Sequence, residues 1–379
     1  MSADDVRVDG RGENPRPRAL RWSVVVVPAL ALALAVAWLA RGPNAEASTT
    51  VEDVLSSLTP PDTVVGFLGG VALGLYFESE DVSYLPYLWE IASTGSNAVS
   101  IVVSWSQPDI AASDIRPDRP RTVPDDVLRR TIREAASLDL EVMLFPILWI
   151  DERGPGEWRG ALAPDDVDAW FESYRTFIVH YATIAEAEGV ALFSLGSELG
   201  TMERHADAWT DLAASVRDVY SGPITYSANW DHYDRTPFWG DVDFIGITAY
   251  HELTHDASQT PPMAEVLDMW GPIVWSVERL ATEHQRPVII TELGYVSQTS
   301  AARYPWDYTR RGEVDLHAQF ELYLGAYLAW SSSPMLHGVF FWNWFGDGGH
   351  LDNGYTPRGK PAEHLIRWWF QDLRARAQR

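Results

Sequence analysis

The sequence is expected to fold as an α/β protein, a (β/α)8 TIM barrel preceded by an N-terminal transmembrane or signal segment. Three observations predict the barrel. Eight short apolar runs recur between residues 71 and 343, most without apolar/polar alternation, as strands buried on both faces read. Helix-like segments separate most of them. Two of the runs, LFSLGSELG (192–200) and VIITELGY (288–295), carry a glutamate at the end of a β-rich stretch with glycine just beyond. If both are parallel strands of one sheet, Glu198 and Glu292 project from its carboxyl-end rim, where the active sites of such barrels sit.

In chain order, residues 1–21 are polar and rich in Pro and Arg and are expected to be a disordered cytoplasmic tail. Residues 22–40 hold the apolar run SVVVVPALALALAVAWLA. It is longer than the about 7–15-residue core of a cleaved signal and close to the roughly 20 residues that span a bilayer. Arg16, Arg18 and Arg21 precede it and Arg41 follows, which keeps the N-terminus inside and sends the rest of the chain out. The alternative is a signal peptide cleaved near Ala45-Glu46-Ala47. Either way the catalytic part is exported, anchored in the cell membrane or secreted. Residues 41–63 form a linker, and 64–379 the (β/α)8 catalytic domain.

Strands are predicted at 71–76, 98–103, 141–147, 190–196, 223–228, 242–249, 287–291 and 338–343. Helices are predicted at 81–94, 125–138, 165–188, 207–220, 264–284 and 312–332, with a last one from about 361 to 377. Pro124-Asp125-Asp126 and Pro164-Asp165-Asp166 place proline and acidic residues in a first turn. The gap 229–241 is too short for a good helix, so an irregular connection is expected there. An open doubly wound sheet is disfavoured because no Gly-rich phosphate loop follows the first strand.

Composition narrows the partner. A formal net charge of −24 repels nucleic-acid phosphates and anionic lipid, so no nucleic acid is expected and any membrane contact runs through the N-terminal segment only. The chain has 18 Trp; packing between barrel and helices accounts for about half of them, and the rest suit stacking on sugar faces. With no Cys there is no disulfide framework, thiolate metal site or cysteine nucleophile.

By the strand count, Glu198 ends the fourth strand and Glu292 the seventh, nearly opposite each other across a pocket. Two carboxylates flanking a bond are what glycoside hydrolysis requires: one protonates the departing oxygen, the other attacks the anomeric carbon or activates water. Burial and the neighbouring charge would raise the acid's pKa and keep it protonated. A competing motif, His251-Glu252-Leu253-Thr254-His255, matches H-E-x-x-H, but zinc chemistry needs both histidines one turn apart on a helix. Here the motif directly follows a β-rich run and enters a polar loop. Asp347, Asp352 and Asn353 lack the spacing of a calcium loop. No metal and no cofactor are expected.

The stretches GLYFESED (74–81), VVSWSQ (102–107), EWRGALAP (157–164), FSLGSELG (193–200), YSANWDHYD (226–234), ITAYHEL (247–253), IITELGY (289–295), PWDY (305–308), FFWNWFGDGG (340–349) and YTPRGKPA (355–362) resemble the β-mannanases of glycoside hydrolase family 113, within the clan A retaining (β/α)8 glycosidases. The resemblance implies Glu198 as acid/base and Glu292 as nucleophile, acting on β-1,4-mannan or manno-oligosaccharides. Most of the clan has Asn before the acid/base; Ser197 stands here, which leaves open how the sugar's 2-hydroxyl is held. Tyr250, ending the sixth strand, is placed to hydrogen-bond the nucleophile. Of Trp342 and Trp344, one is expected to floor the pocket, and clan analogy favours Trp342. Trp105, Gln107, Trp149, Trp158, Arg159, Asn229 and Trp230 are further candidate subsite walls. The partner is thus a β-linked oligo- or polysaccharide. The alternatives are a β-glycanase of other sugar specificity and a non-catalytic glycan-binding barrel.

Overall fold

The computed structural model describes residues 51–58, 66–76, 81–118, 121–310 and 312–371. The expected tail, the apolar segment 22–40 and most of the linker lie outside these residues. Among the described residues no helix is long and apolar enough to cross a membrane.

Eight parallel strands close into one barrel in sequence order, the last pairing with the first. They are β1 (Leu68–Gly74), β2 (Ala98–Gln107), β3 (Glu141–Ile150), β4 (Leu192–Ser197), β5 (Ile224–Asn229), β6 (Phe244–Thr248), β7 (Val288–Leu293) and β8 (Leu336–Phe341). A short helix α1 (Val51–Ser57) precedes them. Around the barrel stand α2 (Leu85–Ser93), α3 (Asp125–Ser137), α4 (Val167–Glu188), α5 (Ala206–Arg217), α6 (Met263–His284), α7 (Leu316–Trp330) and α8 (Pro361–Phe370). Between β5 and β6 the chain makes only two 3-10 turns, Tyr233–Arg235 and Trp239–Asp241, the irregular connection expected there.

Local chemistry explains the boundaries. Helix α4 starts where the Asp166 carboxylate accepts from Ala169 N at 3.0 Å and stops at Gly189, whose φ of 68° a side chain would strain. Helix α7 starts likewise on Asp315, which accepts from Ala318 N at 2.9 Å.

Two apolar layers follow from strand alternation. Inside the barrel Ala72, Val102, Met143, Phe145, Ile147, Leu192, Ile289 and Phe340 pack together, while the opposite faces of the strands meet the helices in a larger aromatic-rich shell. In that shell Trp170 stacks on Tyr174 at 4.7 Å, and Trp209 on Phe238 at 4.8 Å. Extending the inward register of each strand past its last layer identifies what reaches the mouth: Tyr76 beyond β1, Trp149 on β3, Asn229 on β5, Thr248 and Tyr250 on and beyond β6, and Trp342 beyond β8.

Two strands break this alternation. The β4–β5 register shifts between Ser194 and Ser197, and the β6–β7 register between Ile247 and Thr248, so that Thr248 faces Glu292. The second irregularity lets consecutive residues of β7 point inward: the Thr291 hydroxyl bonds that of Ser227, and Glu292 meets Tyr250. Bulges of this kind re-aim side chains next to functional sites.

Candidate active site

Glu198 follows the β4 irregularity and has φ of +56°, a left-handed conformation that costs a non-glycine residue about 1 kcal/mol or more. Three contacts hold it there. Its own N–H donates to Ser227 O at 2.8 Å, the next N–H, of Leu199, donates to the Tyr226 hydroxyl at 2.8 Å, and the Tyr174 hydroxyl donates to Leu195 O at 2.8 Å. Gly196 is needed in this bend, since a Cβ there would lie 2.2 Å from the Tyr174 oxygen. The carboxylate is 6% exposed as a residue. Its Oε1 accepts from Thr248 Oγ1 at 2.7 Å, and its Oε2 is paired with the Arg159 guanidinium. Arg159 reaches in from the 3-10 turn Arg159–Ala161 and also donates through Nε to Ser197 O at 3.2 Å.

Glu292 is 3% exposed. Tyr250 donates to its Oε2 at 2.8 Å, whereas its buried Oε1 has no hydrogen-bond partner among the described residues. Burial, and then the charge of Glu198, push the Glu292 carboxyl up to about 8, with Arg159 and the Tyr250 hydroxyl pulling the other way. Burial opposes the charge on Arg159, but Glu198 and Glu292 together raise its pKa above the ordinary arginine value. The phenols of Tyr76 and Tyr250 are raised by burial and then by Glu292. At neutral pH Glu292 therefore keeps its proton. The cation sits on Glu198 and the upward shift on Glu292, whereas the sequence reading expected the raised pKa on the acid.

The other sequence candidates divide. Arg159 and Tyr250 converge on the two glutamates; Ser197, next to Glu198 in the chain, is buried, and its Oγ has no partner among the described residues. Asn229 is buried with its Oδ1 3.3 Å from Thr248 Oγ1. Trp342 is half-buried at the end of the inner layer. Trp158 is half-buried and folds over Gly160, where a Cβ would meet the indole at 2.3 Å. Trp149 is 36% exposed beneath Arg121 and Arg153, whose guanidinium carbons lie 5.0 and 5.6 Å from its ring centroid.

Three candidates are corrected. Trp105 lies on the outward register of β2 and packs against Phe177, His180 and Tyr181 of α4. Gln107, fully buried, accepts from the Trp170 indole N–H at 2.8 Å and donates to Asp109 O at 2.7 Å. Trp344 is 2% exposed, and its indole donates to Glu90 on α2 at 2.9 Å. All three serve packing between strand and helix: Trp105 and Gln107 because the outward register of β2 turns them from the barrel axis, Trp344 because it lies past Phe341, the last residue of β8, where strand alternation no longer applies.

The sequence reading missed Thr248, Tyr76 and Trp306. Thr248 and Tyr76 were readable from strand alternation once the registers were known. Trp306, from the loop after β7, stacks on Trp230 with centroids 5.2 Å apart and is 38% exposed. A sequence separation of this length gives no periodic signal. The H-E-x-x-H segment is irregular, with His251 buried against Trp230 and Trp270, Glu252 paired with Arg303, and His255 exposed. Asp352 accepts from the buried Lys360 ammonium at 2.9 Å and from Gly354 N at 2.7 Å, which makes it a loop latch.

Comparison with known proteins agrees with this geometry. The family description Glycoside Hydrolase Family 113 matches residues 77–356. Among solved structures, a GH113 β-mannanase from Alicyclobacillus acidocaldarius, in complex with ManMIm, superposes with a TM-score of 0.73 at 26% identity, over 82% of this chain and 98% of that one. A GH113 β-1,4-mannanase complex gives 0.72 at 25% identity, over 81% and 99%. A β-glucuronidase of Faecalibacterium prausnitzii, at 15% identity and TM-score 0.56 over 81% of this chain and 49% of that one, shares the fold. Comparison with curated proteins gives no match.

Proposed function

The chain belongs to glycoside hydrolase family 113 and is a glycoside hydrolase, and from that premise we propose that it cleaves β-1,4-mannosidic linkages in mannan or manno-oligosaccharides with retention of anomeric configuration. Glu292 is the nucleophile and Glu198 the acid/base. The observation that carries the reading is the unequal treatment of two buried carboxylates. Glu292 has one oxygen fixed by Tyr250 and the other, Oε1, unpartnered among the described residues, as an attacking oxygen must be. Glu198 is held by Thr248 and a removable cation. The sugar assignment is supported by the two GH113 structures named β-mannanases, nearly all of whose length this chain covers.

Double displacement needs a proton on the acid/base and an ionised nucleophile. For Glu198 and Glu292 this requires that, as the glycosidic oxygen enters beside Glu198 and Arg159 gives way to it, the proton held at Glu292 passes to Glu198. The proton then resides on Glu198. Glu292 Oε1 attacks the anomeric carbon while Glu198 protonates the departing oxygen; afterwards Glu198, now a base, activates the water that releases the sugar from Glu292.

Incubation with defined β-1,4-linked mannan, glucan and xylan oligosaccharides, with product anomers followed from the first turnovers by NMR, tests this. Initial β-anomers from the mannan series are expected; α-anomers overturn the mechanism, and turnover of another series alone overturns the sugar assignment.

A pH profile follows from the same pair. The proton is lost as pH rises through about 8, so kcat/KM on an unactivated substrate is expected to fall by about tenfold per pH unit above that value. A rate that stays level to about pH 10 contradicts a protonated acid drawn from this pair.

A further inference from the structure

Behind Glu198 the loop after β4 closes on itself through a side chain of the next strand. The Tyr226 hydroxyl accepts from Leu199 N at 2.8 Å and donates to Glu203 Oε1 at 2.8 Å. Glu203 is 4% exposed and belongs to the same loop, so the hydroxyl ties its start to its end. The Thr236 hydroxyl donates to Glu203 Oε2 at 3.1 Å, and His232 Nε2 lies 3.3 Å from Oε1. On the other side, His232 Nδ1 is 2.5 Å from Asp231 Oδ1, which also accepts from Asn229 Nδ2 at 3.0 Å. The imidazole therefore spans two carboxylates. It also packs on Gly200, where a Cβ would come within 3.1 Å of its Nε2. None of these groups belongs to the pair of reacting glutamates.

We propose that His232 is a positioning residue for Glu198: its ring, gripped by Glu203 and Asp231, fixes the Glu203 carboxylate so that Tyr226 holds the left-handed backbone from which Glu198 presents its proton. The inference rests on the assignment of Glu198 as acid/base. Two carboxylates and a ring that donates from both nitrogens are mutually stabilising, and the hydrogen bond to Glu203, followed by that to Asp231, raises His232 to about 9 against the opposing effect of burial. The ring stays charged across the neutral range. Without that charge, Glu203 is a buried carboxylate whose remaining partners are hydroxyls, and the simplest relief is for it to turn away from Tyr226. Leu199 N then loses its acceptor, and the strained φ at Glu198 loses one of the contacts that maintains it.

Misplacing an acid affects substrates in proportion to their need for protonation, which separates this role from a structural one. The test is kcat/KM for a series of substituted-phenyl β-mannobiosides, plotted against leaving-group pKa, for wild type, His232→Gln and Tyr226→Phe. Both variants are expected to lose about tenfold or more on the unsubstituted phenyl glycoside and to stay within about threefold of wild type on the 2,4-dinitrophenyl glycoside, giving a steeper slope. A parallel drop across the series, or no drop, overturns the proposal. If His232→Gln fails to fold, Tyr226→Phe decides by the same criterion. Glu198→Gln run beside them separates the premises: if it leaves the slope unchanged, the acid assignment fails; if it alone steepens the slope, the positioning role fails. A wild type inert on mannobiosides but active on aryl β-cellobiosides disproves the sugar, and the same series is then run on those.

Discussion

Glu292→Ala is expected to lower kcat by about 10⁴-fold or more on manno-oligosaccharides while leaving the barrel folded, because the covalent step has no other nucleophile. Stability is expected to hold or rise. The wild-type carboxyl is buried with one oxygen unpartnered among the described residues, and burial, then the charge of Glu198, oppose its ionisation. Its removal costs the Tyr250 hydrogen bond, but it also ends the cost of folding a carboxyl that must take up a proton near neutral pH, which the unfolded chain does not hold. Active sites of this kind are built at the expense of stability, and their removal commonly gains about 0.5–2 kcal/mol. Turnover together with thermal unfolding measures both effects. Activity near the wild-type level sinks the nucleophile assignment; a large fall in melting temperature contradicts the account of Glu292 as a strained group.

Glu198→Gln is expected to produce a different pattern. Substrates with sugar leaving groups should lose about 10²–10⁴-fold in kcat/KM, the contribution of a positioned acid. The 2,4-dinitrophenyl glycoside should retain most of its kcat/KM, since its leaving group needs no proton. Added azide should restore its turnover by replacing base-activated water, and the product should be the β-glycosyl azide. The glutamine also removes the like charge beside Glu292, the second cause of its upward shift after burial, and leaves Arg159 without its ion-pair partner. Glu292 in this variant should therefore ionise below the wild-type value of about 8, moving the acid side of the kcat/KM profile on the activated substrate to lower pH. An α-azide product, or no azide response, contradicts an acid/base role at this position.

Both predictions rest on features of unequal legibility. The barrel was readable because a strand buried on both faces must be apolar along its length, and eight such runs alternate with helical patterns. The connection after β5 was readable because residues 229–241 are too few for a helix to cross back. Glu198 and Glu292 were readable because a carboxylate at the end of an apolar run is costly unless the rim uses it. The aromatic candidates fared differently. Trp149 and Trp342 continue the inward registers of β3 and β8, whereas Trp105 and Trp344 pack outward against helices, and composition does not distinguish the two orientations.

At the two stretches that end in Glu198 and Glu292, the sequence by itself determined the residue types, their strands and their places across the barrel. Only the tertiary structure decided how they are aimed. Alternation along β7 turns Thr291 inward and would turn Glu292 out; the register shift against β6 brings Glu292 opposite Thr248 instead. The left-handed bend at Glu198 depends on Ser227 and Tyr226 of the neighbouring strand, and its charge partner Arg159 arrives from a loop 39 residues earlier. Such contacts are set by strand register and loop closure. Both depend on the whole barrel being assembled, so no local pattern in the chain encodes them.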